Sequence, residues 1–122
     1  MAKTFKNTII NGYNDKPIIL QTNTAGDTKE VTLEMALQVI LNNAPLKTMQ
    51  DSINGMRLQL ALDKAKDGAD IVLEEGTHDW LRPIAESLTP QIFRVNGSIV
   101  YELIKDGYEK AVQPKEKQNE SS

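Results

Sequence analysis

The residues best suited to chemistry lie between Asp63 and Glu74. This stretch matches an EF-hand calcium loop at its first, fifth, sixth and twelfth positions, which are Asp63, Asp67, Gly68 and Glu74. Carboxylate oxygens at such positions are ligands that calcium prefers. The third position is Ala65, which has no side-chain oxygen, and the lysines on either side of it would repel a dication. We therefore favour a helix end and an acidic turn over a calcium site.

A second candidate is the adjacent pair His78 and Asp79, which has the residue types of a metal-dependent phosphohydrolase site. Such a site needs further histidines, and the chain has 1 histidine. A Ser-His-Asp triad built on His78 would need a serine on a G-x-S-x-G turn, and the sequence contains no such motif. We therefore expect the pair to lie on the surface, in the first turn of a helix.

Carboxylates are also dense after the acidic turn. Glu74, Glu75 and Asp79 have the residue type for general acid–base catalysis, but adjacent acids on a solvated turn more often form a charged face. Trp80 beside them is a typical interface anchor, although a role in the core is favoured. We predict no catalytic residue, metal ligand or cofactor, and a protein-contact surface formed by Asp67, Asp70, Glu74, Glu75, Asp79 and Trp80.

Two alternative functions stay open. The acidic 63–79 stretch could bind a divalent metal or a small ligand, or the protein could be a nucleic-acid-binding regulator. The chain has 14 basic and 17 acidic residues, a net charge of −3 and no basic stripe, which disfavours the second alternative. It has no cysteine, so disulfides, cysteine-ligated zinc and thiol nucleophiles are excluded. No apolar run approaches the roughly 20 residues needed to cross a bilayer, so we expect a soluble protein without a membrane partner.

The predicted elements follow from apolar periodicity. Strand-forming residues on both sides of Asn11-Gly12 predict a β-hairpin over 4–21, with a short strand near Lys29-Glu30-Val31 after it. A helix over 32–43 begins at Thr32 and ends before a proline.

The stretch 48–66 is predicted to be the central helix. It carries two neighbouring apolar stripes: Met49, Ile53, Met56 and Leu60 form one, and Leu58, Leu62 and Ala65 form the other. Together they make an apolar face wider than about 100°, which suits a helix buried on more than one side.

Helices over 75–88 and 90–105 complete the prediction, because Thr89-Pro90 has the residue types of a helix N-cap and first position. For 91–104 a β-hairpin turning at Asn96-Gly97 is the competing interpretation. The predicted fold is thus a single α+β domain over 1–112, an N-terminal β-hairpin followed by a bundle of about four helices. Helices 48–66 and 90–105 are its expected core, and 113–122 is a disordered polar tail.

Several short patterns resemble those of small, mostly uncharacterised accessory proteins of tailed bacteriophages. They cover about residues 16–105 and are Lys16-Pro17-Ile18, Thr32-Leu33 with Ala36-Leu37, the end of the central helix from Leu58 to Leu62, Ile71 to Glu75, and Thr89 to Ile92. The resemblance implies a phage or prophage origin and transfers no catalytic residue. It implies a non-enzymatic protein that acts by protein–protein contact, either as a virion assembly factor or as an inhibitor of a host protein or defence system. We expect a homo-oligomer located in the bacterial cytoplasm or the virion.

Overall fold

The computed structural model describes residues 2–21 and 28–105, so the predicted tail over 113–122 lies outside the described residues. The α+β class is confirmed. The strands are β1 (Lys3–Phe5), β2 (Ile19–Gln21), β3 (Thr28–Glu30) and β4 (Ile71–Leu73), and the helices are α1 (Leu33–Asn43), α2 (Met49–Lys64) and α3 (Glu75–Phe93). Residues 97–105 are also helical and reach the end of the described chain, so the structure gives three helices with complete bounds rather than a four-helix bundle. Within these residues no helix is both long and apolar enough to span a bilayer.

The N-terminal strands pair differently from the predicted hairpin over 4–21. β1 pairs antiparallel with β4, which places Phe5 opposite Ile71, and β2 pairs with β3. Only the inner part of the hairpin folds back as predicted, with the Gly12 N–H donating to the Lys16 carbonyl at 2.8 Å. The β1–β4 pairing is favoured because Phe5, Ile71 and Leu73 are all buried by it in the core.

Three backbone positions connect the strand segments in a closed ring of hydrogen bonds. The Ile10 N–H donates to Val31 at 2.8 Å, the Val31 N–H donates to Ile18 at 2.8 Å, and the Ile18 N–H donates to Ile10 at 2.9 Å. All three side chains are buried. A two-stranded sheet has only marginal stability by itself. These hydrogen bonds and the three buried side chains therefore hold the short strands in place.

α1 and α2 each contact two other helices, and α2, the predicted central helix, also contacts β4. Thr32 caps α1 by accepting a hydrogen bond from the Met35 N–H at 3.3 Å. The helix packs against both α2 and α3. Its buried residues recur at helical spacing and are Leu33, Ala36, Leu37, Ile40 and Leu41.

α2 begins with a capping box in which Thr48 and Asp51 satisfy each other's backbone N–H groups. Its second stripe is buried as predicted, at Leu58, Leu62 and Ala65. The prediction that the two stripes form one wide buried face is wrong, because at about 100° per residue Met56 and Leu60 lie on the side of α2 opposite Leu58 and Leu62. On that side Met49, Met56 and Leu60 are 76%, 56% and 51% exposed.

α3 continues through Thr89-Pro90, where the sequence predicts a break. Its internal prolines, Pro83 and Pro90, lie on an exposed face together with Asp79 and Glu86. Proline has no backbone N–H, so the carbonyls of Asp79 and Glu86 lack the helical donor four residues later. Water can hydrate those carbonyls on this face. Burial of the opposite face therefore outweighs the local cost of proline, and its residues Leu81, Ala85, Thr89 and Phe93 recur at intervals of four.

After α3 the chain reverses within one 3₁₀ turn, Arg94–Asn96. Gly97 lies against α3, since a Cβ added to it would come within 2.7 Å of the Pro90 Cα. At the other end of the 97–105 helix, the Ile104 carbonyl accepts a hydrogen bond from His78 near the start of α3. The two helices are therefore antiparallel, and the hairpin interpretation of 91–104 is wrong.

Candidate functional site

His78 and Asp79 do not form a surface pair. His78 is only 2% exposed, its Nε2 lies 2.8 Å from the Ile104 carbonyl oxygen, and its ring centroid lies 5.5 Å from that of Phe5. Asp79 is exposed and accepts a hydrogen bond from Arg82 at 2.9 Å. Consecutive helical residues point about 100° apart, so one faces the core while the other faces solvent. The histidine therefore holds the 97–105 helix on α3.

The 63–74 stretch does not fold as a calcium loop. Asp63 is in the last turn of α2, where it accepts a hydrogen bond from Gln59 at 3.1 Å and lies 4.0 Å from the Lys66 ammonium. A 3₁₀ turn over Lys66–Gly68 and then β4 occupy the remainder, and the Asp67 side chain lies outside the described part of the structure. Among the described residues, no three histidine, aspartate or glutamate side chains are grouped to hold a metal ion.

The remaining predicted carboxylates are exposed, and we call Asp70, Glu74, Glu75 and Asp79 the acidic surface. Glu74 and Glu75 come together at the start of α3, where the helix macrodipole favours negative charge. Asp70 lies at the other end of β4, roughly 13 Å from Glu74 along the strand. The acids therefore form an extended band instead of the compact cluster that a metal or a catalytic pair would need.

Trp80 connects α3 to α2 through a side-chain hydrogen bond. It is half-buried against the core, and its Nε1 donates to Asp51 Oδ1 at 3.1 Å. The same carboxylate accepts from the backbone N–H groups of Lys47 at 3.0 Å and Thr48 at 3.2 Å. These bonds, that of Lys47 first and that of Trp80 second, lower the pKa of Asp51 below its usual range. Trp80 therefore positions α3 on the start of α2, a role that sequence reasoning missed.

Another feature that the sequence analysis did not predict is the exposed side of α2. We call Met49, Ile53, Met56 and Leu60 the α2 outer stripe. Three of these side chains are more than half exposed. The apolar spacing of these residues can be read from the sequence. Their exposure cannot, because it depends on where α1 and α3 pack.

An open groove continues the stripe onto the strands. Leu60 and the half-exposed Val72 line it, and its volume is about 530 Å³. Arg57 and Lys64 provide positive charge on the α2 side, and Glu74 of the acidic surface lies on the other. The groove thus joins the α2 outer stripe to the acidic surface in one continuous face.

Comparison of the chain with known protein families, curated proteins and solved structures finds no match. No functional residue is carried over from a relative. The face described above combines apolar side chains open to solvent with a band of carboxylates beside them.

Proposed function

We propose that this protein is a non-enzymatic accessory protein that acts by protein–protein contact through the α2 outer stripe. The observation that carries the proposal is the exposure of Met49, Met56 and Leu60, at 76%, 56% and 51%, on one side of one helix. Single exposed apolar residues are ordinary on protein surfaces, whereas a contiguous apolar patch marks an interaction site. Here Val72 extends the patch across the groove.

The first partner we propose is a second copy of the chain. The spacings within the α2 outer stripe are symmetric, so an antiparallel two-fold pairing of α2 helices places Met49 against the partner's Leu60 and Ile53 against the partner's Met56. Such isologous contacts are the commonest in homodimers. Methionine side chains are flexible enough to fill the gaps between two helices.

The expected affinity of this dimer is modest. Covering the exposed part of Met49, Met56 and Leu60 contributes about 1 kcal/mol per side chain, so three side chains from each copy give about 6 kcal/mol. The loss of translational and rotational freedom opposes association by roughly 4–15 kcal/mol. The balance predicts a dimer that forms at high protein concentration and dissociates on dilution.

The second contact we propose is with a basic protein partner at the acidic surface. Support comes from the exposure of its carboxylates and from the net charge of −3. The resemblance to phage accessory proteins favours a role as a virion assembly factor or as an inhibitor of a host protein, in the bacterial cytoplasm or the virion. Reversing charge with Glu74→Lys and Asp79→Lys together should abolish capture of such a partner from bacterial lysate, whereas Met56→Glu should retain it.

Light scattering over a dilution series tests the self-association. Met56→Glu keeps helix propensity almost unchanged and places two charges in the interface. Loss of about 1 kcal/mol from each copy predicts a dimer at least about 30-fold weaker. The control is Val95→Glu, which adds the same charge at an apolar residue that is 72% exposed and lies outside the stripe. A wild-type mass that stays monomeric at the highest concentration, or equal weakening by both variants, contradicts the proposal.

A further inference from the structure

A second concave site lies where the turn after Ile10 meets the end of α3. We call it the turn cleft; its volume is about 270 Å³ and its polar lining comprises Tyr13, Asn14, Lys16, Arg94 and Asn96. Two of these side chains are cationic and none is a carboxylate. The turn cleft shares no lining residue with the groove beside the α2 outer stripe.

A hydrogen bond connects the two sides of the turn cleft. The Tyr13 N–H donates to Asn96 Oδ1 at 2.9 Å. A Cβ on Gly12 would come within 2.7 Å of the same oxygen, so glycine at that position leaves room for the Asn96 side chain against the turn. The cleft is therefore formed before any ligand arrives, which is the usual condition of small-molecule sites.

Neither cation of the turn cleft is paired with a carboxylate among the described residues. Elsewhere in the described chain, cations such as Arg82 and Lys105 pair with a carboxylate three residues earlier. Arg94 and Lys16 are exposed, and neither forms an ion pair with any described residue. Their hydrogen-bond donors are thus available to an anion in the cleft.

The backbone of Arg94 supplies an independent observation. Arg94 has φ 56° and ψ −121°, a conformation that glycine adopts readily and that other residues avoid. Glycine would make the reversal after α3 without strain, yet the chain has an arginine there. Strained residues of this type concentrate at ligand-binding and active sites, where the side chain is needed at that position.

We propose that the turn cleft binds a phosphate monoester of small-molecule size. The planar guanidinium of Arg94 matches two phosphate oxygens at once, and the Lys16 ammonium adds a point charge. The ring of Tyr13, which is 71% exposed, offers an apolar face to the organic part of the ligand. The volume is near the lower end of small-molecule sites, which suits one phosphate with a compact organic group. This activity is separate from the contacts proposed for the α2 outer stripe.

The test is an NMR titration of the full chain with inorganic phosphate, adenosine 5′-monophosphate and uncharged adenosine. We expect the two anions to shift the amide resonances of Gly12, Tyr13 and 94–97, with dissociation constants on the order of a millimolar. Arg94→Gly should weaken binding of both anions by about tenfold or more, because it removes the bidentate contact. Lys47→Gln removes one positive charge from an exposed residue outside the cleft and should leave binding unchanged.

Three results would overturn the proposal. The first is that neither anion shifts the turn-cleft resonances at concentrations on the order of 10 mM, well above the expected dissociation constant. The second is that Arg94→Gly binds as tightly as the wild type while remaining folded. The third is that adenosine binds as tightly as its monophosphate, since the phosphate would then contribute nothing.

Discussion

Replacing Arg94 by glycine should stabilise the protein. A non-glycine residue at φ 56° and ψ −121° costs about 1–3 kcal/mol of strain. Glycine avoids that strain but loses about 0.5–1 kcal/mol more backbone entropy on folding. The Arg94 side chain is exposed and has no ion-pair partner in the described residues, so its removal loses little. The net expectation is a gain of about 1 kcal/mol in the free energy of unfolding, the difference between the middle values of these two terms.

Urea and thermal unfolding measure this gain. For a chain of 122 residues, the gain corresponds to a rise in Tm of about 2–8 °C. Arg94→Ala is the matched control, because alanine removes the same side chain but keeps the Cβ that causes the strain. We expect the alanine variant to remain near the wild type.

The relative stability of Arg94→Ala and Arg94→Gly decides whether the backbone at this position is strained. In an ordinary helical position alanine is more stable than glycine by about 0.5–1 kcal/mol, and at Arg94 we expect the reverse order. If Arg94→Ala proves more stable than Arg94→Gly, the backbone there is not strained, and the strain argument for the turn cleft fails with it. Measured in buffer free of phosphate, this result does not depend on any ligand.

Two further pairs of variants test the packing around α3. Thr89→Val should raise the free energy of unfolding by about 1 kcal/mol, because the buried Thr89 hydroxyl has no hydrogen-bond partner. The control is Thr77→Val, which should not raise the free energy of unfolding, since the Thr77 hydroxyl donates a long hydrogen bond to Asn54 at 3.5 Å; equal effects of the two variants in urea unfolding would contradict the reasoning. Gly97→Ala should lower the free energy of unfolding by about 1–3 kcal/mol, because the added methyl group would collide with the α3 backbone. Gly76→Ala, in open space in the first turn of α3, should raise it by about 0.5–1 kcal/mol, and equal Tm shifts for these two variants would refute the close approach of the last helix.

The starts of the helices could be predicted from the sequence because their signals are local. The helices predicted over 32–43 and 48–66 begin where expected, with Thr32 and Thr48 as their N-caps. Each of these depends on side chains within a few residues of the element itself. The partner of β1 could not be predicted in this way, because it lies in β4, far along the chain, and β2 fits the same apolar pattern.

The end of α3 shows how a strong local signal can be outweighed. Thr89-Pro90 has the residue types of a helix start, yet Thr89 is buried in the middle of α3. The same helix stops at Arg94, where no proline or glycine indicates an end. The position of the reversal depends instead on Gly97, which allows the last helix to approach α3. The packing of the last helix against α3 therefore decides where α3 ends.

The candidate contact surface depends on a choice that α2 alone does not determine. Both of its stripes are apolar and recur at helical spacing, so periodicity predicts that both are buried. Packing of the helix covers the stripe with Leu58 and Leu62 and leaves the stripe with Met56 and Leu60 in solvent. The exposed area of these apolar side chains does not stabilise the monomer by burial, and such patches favour association with other surfaces. A second copy that covers Met56 and Leu60 would give α2 the burial on two sides that its sequence predicts, supplied by the neighbouring molecule instead of by the same chain.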